Sequence, residues 1–252
     1  CDEFRQASGR KKAYKTLRNN NIDGLIVIGG DGSFTGALKL KDEFNFPVIG
    51  IPGTIDNDIF GTSHTLGYDT ALNTVMDAID KIRDSAISHD RLFFVEVMGK
   101  DAGYIALRSG IAIGAQEILI PEVNTKINDL IDSLKNSKKS GKTSSIIVVA
   151  EGYKLGKNVY QIADEIQEKL PNYQVRVSVL GHIQRGGRPS CFDRVLGTKM
   201  GVKAVELLKD AKTGIMVGTQ HGKIVTVPLK KAISEKTKIN KDLLRISKIM
   251  NT

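Results

Sequence analysis

Several short stretches of this sequence place charged or polar side chains directly after an apolar run. The first is GGDGS, Gly29 to Ser33, which follows Leu25 to Ile28. Glycines let backbone N–H groups approach a phosphate, and the next helix N-terminus adds partial positive charge. An acid would repel a bare phosphate, so Asp31 is best suited to hold Mg²⁺ that bridges phosphate oxygens. Ser33 is placed to cap the next helix, and the alternative is an ordinary turn with Asp31 as a turn residue.

The second stretch is PGTIDND, Pro52 to Asp58, which follows an apolar run ending at Ile51. Two carboxylates two residues apart, with a hydroxyl two residues before the first, suit a general base and its metal or positioning partner. The alternative is a plain turn, which Asp and Asn favour.

Two more stretches also follow apolar runs. In MGKDAG, Met98 to Gly103, a glycine beside a lysine can bind a phosphate or a transferring phosphoryl group. A helix start capped by Asp101 is the alternative. In LGHIQRGGRPS, Leu180 to Ser190, Arg185 offers a rigid fork for phosphate that His182 could also bond, although a histidine after a strand is often structural.

These stretches require strands that end together and helices that follow them. Short apolar runs alternate with segments of helical period, which predicts an α/β protein with parallel sheets. The endings IVIGGDG and IVVAEG are alike, which two related sheets would explain. The predicted strands are Gly24 to Ile28, Val48 to Ile51, Leu92 to Val97, Glu117 to Ile120, Ser145 to Ala150 and Val175 to Leu180. The predicted helices are Gly9 to Asn19, Ser33 to Phe44, Tyr68 to Ala86, Asp101 to Ile113, Ile127 to Ser137, Gln161 to Lys169 and Asp193 to Lys209.

Composition narrows the class of protein. The 252 residues are 40% hydrophobic, without an apolar run of the roughly 20 residues that a membrane helix needs. The net charge is +9, but no aromatic residues interleave the lysines to stack bases, so we expect no nucleic acid partner. Two cysteines favour a reducing, cytoplasmic location. The four histidines have no zinc-type spacing, so we predict no structural metal.

Taken together and in this order, GGDGS, PGTIDND, MGKDAG, the acid of AEG and LGHIQRGG resemble the motifs of bacterial-type ATP-dependent phosphofructokinases, over essentially the whole chain. The resemblance implies two Rossmann-like three-layer α/β/α domains with mainly parallel sheets and a cleft between them. Residues 1-67 plus 184-232 would bind ATP, and residues 68-183 plus 233-252 would bind fructose 6-phosphate and effectors. It further implies a cytoplasmic, glycolytic, allosteric enzyme of identical subunits, usually four.

The resemblance also implies roles for individual residues. Asp56 would be the general base toward the sugar 1-hydroxyl, with Thr54 and Lys100 also catalytic, and Asp31 would bind the magnesium of MgATP. The ATP-binding residues would be Cys1, Arg5, Gly30, Asp31, Gly32, Ser33 and Gly36. The substrate-binding residues would be Thr54, Ile55, Asp56, Asp58, Met98, Gly99, Lys100, Glu151, His182, Ile183, Gln184 and Arg185, with Arg91 and Arg176 reaching a neighbouring subunit. The residues binding effectors such as ADP would be Arg83, Gly114, Ala115, Gln116 and Lys142.

Gly32 and Gly53 favour ATP as the donor, since pyrophosphate-dependent members of the family usually have Asp and Lys there. Lys100 stands where the family pattern has arginine. Lysine keeps the positive charge but lacks the bidentate fork of the guanidinium group. Gln116 stands where many members have a glutamate that binds the effector's magnesium, which puts regulation in doubt. The family's first strand and glycine-rich loop have no counterpart, so we expect a fragment that lacks about the first quarter of the enzyme, and its activity alone is left open.

Three alternatives remain open at this point. The first is a pyrophosphate-dependent phosphofructokinase. The second is a non-catalytic subunit that binds sugar phosphate or nucleotide and regulates a partner. The third, an NAD or lipid kinase, would share GGDG but lacks PGTIDND together with LGHIQRGG.

Overall fold

Short runs rich in valine and isoleucine form the strands of this protein, since β-branched side chains fit a pleated, half-buried surface. In the computed structural model they build two four-stranded sheets, each within its own unit of the chain. The structure describes residues 2–87, 91–139, 145–153 and 157–250. The first unit is Cys1–Gly67 with Ser190–Thr237, and the second unit is Tyr68–Pro189 with Lys238–Thr252.

The sheet of the first unit is parallel except at one edge. Its strands lie in the order β1 (Leu25–Gly29), β2 (Val48–Pro52), β7 (Ile215–Gln220) and β8 (Lys223–Pro228). β7 and β8 form an antiparallel hairpin, and both residues of its turn, His221 and Gly222, have positive φ angles. The sequence analysis missed this hairpin, although a two-residue turn with glycine between apolar runs is its usual signal.

Helices cover both faces of the first sheet. α3 (Asp31–Phe44) and α9 (Leu229–Ser234) pack on one face with Val48, and α8 (Cys191–Lys209) packs on the other with Ile49. The alternation of neighbouring strand residues between the two faces is the two-residue period of a strand. α1 (Asp2–Arg5) and α2 (Ala7–Asn19) precede β1, and α2 packs against α3.

The sheet of the second unit is parallel throughout. Its strands lie in the order β4 (Glu117–Leu119), β5 (Ser145–Ala150), β3 (Arg91–Val97) and β6 (Gln174–Val179). Its helices are α4 (Tyr68–Ile87), α5 (Tyr104–Ala112), α6 (Ile127–Lys139), α7 (Val159–Lys169) and α10 (Lys241–Met250), with a 3₁₀ helix at Gly181–Arg185. α6 and α7 share one apolar core with the sheet, while α4 and α5 contact β3 and β5. The predicted α/β class with mainly parallel sheets is confirmed.

The unit boundaries differ slightly from the predicted ones. Residues 184–189, predicted to lie with the first domain, belong to the second unit, and residues 233–237 belong to the first. The reason is that the 3₁₀ helix contacts β3 and α4, which keeps the stretch that follows β6 with the second sheet. None of the helices in the described ranges is both long and apolar enough to cross a membrane.

Most predicted elements are confirmed to within three residues, and their exact starts depend on local capping. α3 begins at Asp31 with Gly30 as its N-cap, so Ser33 lies in the first turn and does not cap the helix. α5 begins at Tyr104 with Gly103 as its N-cap, so Asp101 is not a cap either. The helices α1, α9 and α10 were not predicted.

We expect Ile166→Ala to lower the free energy of unfolding by about 2–5 kcal/mol, because it leaves a cavity in the core beneath α7. Ile166 is 0% exposed within that core. Tyr160 lies on the same helix but is 55% exposed, so Tyr160→Ala should change the free energy by at most about 0.5 kcal/mol. Denaturant unfolding of both variants measures the difference, and equal losses would contradict the assigned packing.

Candidate active site

The first two polar stretches meet in the first unit. β1 and β2 are parallel, with Gly29 opposite Pro52, so GGDGS and PGTIDND leave the sheet side by side. The Gly53 N–H donates to the Gly29 carbonyl at 3.0 Å. A Cβ atom added to Gly30 would lie 3.7 Å from Cβ of Thr54. The structure thus brings the predicted nucleotide and base residues of this unit together.

Asp31 is the first residue of α3, and its side chain is exposed. The first N–H groups of a helix lack intrahelical partners, and the helix dipole makes this end favourable for anions. Gly32 and Ser33, which follow in the same turn, are also exposed. This end of α3 therefore offers N–H donors to a phosphate and one carboxylate to a cation that accompanies it.

The sequence analysis missed Arg10, whose side chain links the backbone of the segment that contains Arg5 to α3. The buried Arg10 guanidinium binds both carboxylate oxygens of Glu43 on α3, at 2.7 and 2.6 Å. It also donates to the carbonyls of Phe4 at 3.0 Å and Arg5 at 2.6 Å. The hydrogen bond that Glu43 accepts from Arg10 lowers the pKa of the Glu43 carboxyl. Sequence offered no signal for Arg10, because it lies in a helix that reads as charged surface.

The turn after β2 is braced by side chains. The Thr54 hydroxyl accepts the Asp56 N–H at 3.2 Å. Asn57 adopts a left-handed conformation with φ 54°, and its side-chain Oδ1 accepts the Thr65 N–H at 2.8 Å. The Thr65 hydroxyl donates back to the Thr54 carbonyl at 2.5 Å. Asp56 and Asp58 are half-buried on this turn. Asn57 was also missed, although asparagine is a common left-handed residue.

In the second unit, strand register aligns the other stretches. Val97 pairs with Ala150, and Glu96 pairs with Val179. The residues that follow β3, β5 and β6 therefore leave the sheet at one edge. There the Glu151 N–H donates to the Val97 carbonyl at 2.9 Å. MGKDAG, AEG and LGHIQRGG are thereby brought together.

Met98, Gly99 and Lys100 form a segment here called the Met98–Lys100 turn. Each of its three backbone N–H groups donates to a side-chain acceptor. The Met98 N–H donates to Oε1 of Gln184 at 3.1 Å. The Gly99 and Lys100 N–H groups donate to Oε1 of Glu151 at 3.2 and 2.6 Å. The N–H groups of this turn are therefore occupied by protein acceptors, and the exposed Lys100 side chain is the group of this turn best suited to bind a phosphate. The predicted contact of Gly99 with the substrate stays a prediction.

The Met98–Lys100 turn packs closely against Gly152, which follows β5. A Cβ atom on Gly152, the glycine of AEG, would lie 2.1 Å from the Lys100 carbonyl oxygen. Such a distance is impossible for a side chain, so Gly152 lets the Met98–Lys100 turn approach the end of β5. Lys100 itself has a left-handed φ of 55°, which is uncommon for a residue with a side chain.

The 3₁₀ helix Gly181–Arg185 divides its side chains between solvent and interior. His182, Ile183 and Arg185 are exposed, as expected for ligand contacts. Gln184 is only 1% exposed, and its amide is bonded at both ends to backbone groups. The predicted substrate contact by the Gln184 side chain is therefore corrected, since that side chain faces the protein interior.

Arg91 and Arg176, the two arginines predicted to reach a neighbouring subunit, are remote from the carboxyl ends of β3, β5 and β6. Arg91 is the first residue of β3, where it donates to Gln174 at 2.7 Å, and Arg176 pairs with Phe93. A strand rises about 3.3 Å per residue, so Arg91 lies roughly 20 Å from Met98. The chain does not bring these arginines to its own sugar-site residues.

The predicted effector residues are only partly assembled. The Arg83 guanidinium donates to the carbonyl of Ile113, next to Gly114, and its Nε atom is buried without a partner among the described residues. Gln116 is buried, and its amide lies 3.5 Å from the Ser133 hydroxyl. Gln116 therefore faces inward, whereas Gly114 is exposed. Two predicted residues, Cys1 and Lys142, lie outside the described residues.

Two α/β/α units with acids and cations at the carboxyl ends of parallel strands are typical of enzymes that bind nucleotides and small phosphate compounds. Residues 1–208 match the family model described as phosphofructokinase. The chain belongs to the phosphofructokinase family.

Individual relatives agree with this assignment. The ATP-dependent 6-phosphofructokinase of Thermoanaerobacter sp. is 50% identical, covering 100% of this chain and 77% of the relative. That of Halalkalibacterium halodurans is 51% identical, over 98% of this chain and 76% of the relative. The resemblance drawn from the motifs is confirmed.

Solved structures share the fold. The phosphofructokinase of Saccharomyces cerevisiae has a TM-score of 0.85 at 30% identity, covering 99% of this chain and 36% of that one. A pyrophosphate-dependent phosphofructokinase from Marinobacter aquaeolei has a TM-score of 0.79 at 20% identity, covering 96% of this chain and 71% of that one. At that identity the second likeness supports the fold alone.

Glu96, near the carboxyl end of β3, has a raised pKa. Partial burial raises the pKa of Glu96, and the charge of Glu151 raises it further. A carboxyl whose pKa is higher in the folded state stabilises the fold below its ordinary pKa and loses that contribution as the pH rises through the folded value.

We therefore expect the stability of the wild type relative to Glu96→Gln to fall as pH rises from about 4 to about 8. Glu165→Gln is the control of opposite sign, because Lys157 and Lys169 lower the pKa of Glu165. Relative to that variant, the wild type should gain stability as pH rises to about 5, because the lowered pKa of Glu165 lies below the ordinary value of a glutamate. Denaturant unfolding at several pH values measures both slopes, and slopes of equal sign would contradict the assignment.

Proposed function

We propose that this chain transfers the γ-phosphoryl group of ATP to the 1-hydroxyl of fructose 6-phosphate, as an ATP-dependent 6-phosphofructokinase. Relatives of that name are 47–51% identical to it. The observation that carries the proposal is the edge of the second sheet, where exposed Lys100, His182 and Arg185 come together with Glu151. Two cations, a histidine and one acid suit a sugar that carries one phosphate and receives another.

The donor side rests on the start of α3. The phosphate site of ATP would be formed by Gly30, Gly32, Ser33 and Gly36, and Arg5 would also bind ATP. The contact of Cys1 with ATP stays a prediction. Mg²⁺ usually binds one or two carboxylates and completes its shell with substrate phosphates and water. Asp31 fits that requirement, since it is an exposed carboxylate in the first turn of α3. When bound, the metal would neutralise phosphate charge.

The acceptor side rests on Asp56. Its carboxylate would take the proton of the sugar 1-hydroxyl while that oxygen forms a bond to the γ-phosphorus and the bond to the β-phosphate oxygen breaks, releasing ADP. Thr54 holds the Asp56 backbone, and Asp58 lies on the same turn. Lys100 would stabilise the transferring phosphoryl group as a point charge rather than as a bidentate fork.

The sugar would be held at both of its ends. His182 and Arg185 would bind the 6-phosphate, and the remaining contacts would come from Glu151, Met98, Gly99, Ile55 and Ile183. Arg91 and Arg176 would serve the site of a neighbouring copy, because they lie far from this edge in their own unit. We therefore propose a homo-oligomer, with four copies as the expected number. Cytoplasmic location and effector control through Arg83 and Gly114 to Gln116 stay predictions.

We expect Asp56→Asn to lower kcat by about 10²–10⁴-fold, because the amide cannot accept the proton. The KM values for ATP and fructose 6-phosphate should change little. Steady-state assays of fructose 1,6-bisphosphate formation measure this, with Asp132→Asn as a control, since Asp132 is an exposed carboxylate on α6. Near-normal turnover in Asp56→Asn would overturn the role of Asp56.

The donor preference can be tested at Gly32. A Cβ atom there would meet nothing within 4 Å, so Gly32→Asp should fold normally. We expect the wild type to use ATP and not pyrophosphate, and Gly32→Asp to raise KM for ATP by about tenfold or more, because it adds a charge that repels phosphate. Gly32→Ala adds the Cβ without the charge and should raise KM less. Activity of the wild type with pyrophosphate in place of ATP would overturn the donor assignment and leave the sugar site standing.

A further inference from the structure

Gln184 joins two loops that belong to different motifs. Its Oε1 accepts the Met98 N–H at 3.1 Å, and its Nε2 donates to the Gly181 carbonyl at 3.0 Å. A carboxamide offers one acceptor and one donor group, and both are used here on backbone atoms. At 1% exposure the side chain is closed to any ligand. It therefore acts on its surroundings through these two bonds.

The two bonded loops carry opposite ends of the proposed sugar site. The Met98–Lys100 turn carries Lys100, which we assign to the phosphoryl group transferred to the 1-hydroxyl. The 3₁₀ helix carries His182 and Arg185, which we assign to the 6-phosphate. The spacing between these two loops sets where the 1-hydroxyl lies when the 6-phosphate is bound.

We propose that Gln184 is a positioning residue that sets this spacing, an inference that rests on the proposed function. The sheet does not do so alone, because Met98 lies beyond the end of β3 and its N–H is bonded to the Gln184 side chain. Glu151 holds the next two N–H groups from β5, while Gln184 holds the first from the β6 side. The turn is thus fixed from both neighbouring strands.

The same unit contains a matched control. Gln167 on α7 also bonds two backbone groups, donating to the Tyr173 carbonyl at 2.8 Å and accepting the Val175 N–H at 2.9 Å. These bonds lie at the amino-terminal end of β6, opposite the end followed by the 3₁₀ helix. Gln167→Met removes the same kind of bridge at the other end of β6, beside Arg91 and Arg176, so it tests whether loss of any such bridge lowers turnover at saturating fructose 6-phosphate.

The test compares Gln184→Met and Gln167→Met with the wild type, in the natural protein as its gene encodes it. For Gln184→Met we expect kcat/KM for fructose 6-phosphate to fall by about 10²-fold, through both a higher KM and a lower kcat, since small misplacements of reacting groups have effects of this size. KM for ATP should stay within about twofold of the wild type, and Gln167→Met should keep kcat and KM for ATP, whatever it does to the 6-phosphate contact of Arg91 and Arg176.

A purely structural role would give a different pattern. Loss of folded protein lowers the amount of active enzyme and hence the apparent kcat, but it leaves KM for fructose 6-phosphate unchanged in the molecules that remain. An unchanged KM in Gln184→Met, or an equal fall of kcat in Gln167→Met, would overturn the inference. If Gln184→Met does not fold, Gln184→Glu replaces it, since it keeps an acceptor for Met98 and loses the donor to Gly181. It should raise the same KM by a smaller factor, and an unchanged KM would again overturn the inference.

The wild-type assay separates this inference from the proposed function. A wild-type protein that forms no fructose 1,6-bisphosphate with either ATP or pyrophosphate would overturn the proposed function and this inference with it. An active wild type with a normal KM in the Gln184 variants would overturn the role of Gln184 alone.

Discussion

The candidate sugar site depends on one requirement, that three consecutive N–H groups at the end of β3 find acceptors. Backbone donors shielded from water are almost always paired, and this turn lies beyond the hydrogen bonds of the sheet. Gln184 and Glu151 supply the acceptors from loops on either side. These bonds satisfy the backbone, and the side chains of Lys100, His182 and Arg185 are exposed at the surface.

The first unit meets a similar requirement with other residues. Asn57 and Thr65 bond the turn that carries Asp56, and Arg10 with Glu43 ties the segment of Arg5 to α3. In both units, internal polar groups hold loops whose exposed groups could act on a ligand. Loops held in this way support chemistry because pre-organised groups need little rearrangement on binding.

Several parts of the fold followed from local pattern, and others did not. Helical and strand periods located most elements of both units, and the motifs identified the family. The hairpin of β7 and β8 was missed, and the expected cap of α3 by Ser33 was wrong, since Gly30 is the N-cap; the alternative cap of α5 by Asp101 is not formed either, since Gly103 is the N-cap. A helix start depends on backbone angles, which side-chain type alone constrains weakly.

The sequence by itself determined the α/β class, the membership of the family and the residues that could carry phosphoryl transfer, because these depend on short motifs and on periodicity. Only the tertiary structure decided that Gln184 and Gln116 face inward and that the Met98–Lys100 turn has no free N–H group. The bond from Met98 to Gln184 joins residues 86 positions apart, and that from Gly99 to Glu151 joins residues 52 apart. Such pairs form only when parallel strands set their register, which no local pattern specifies.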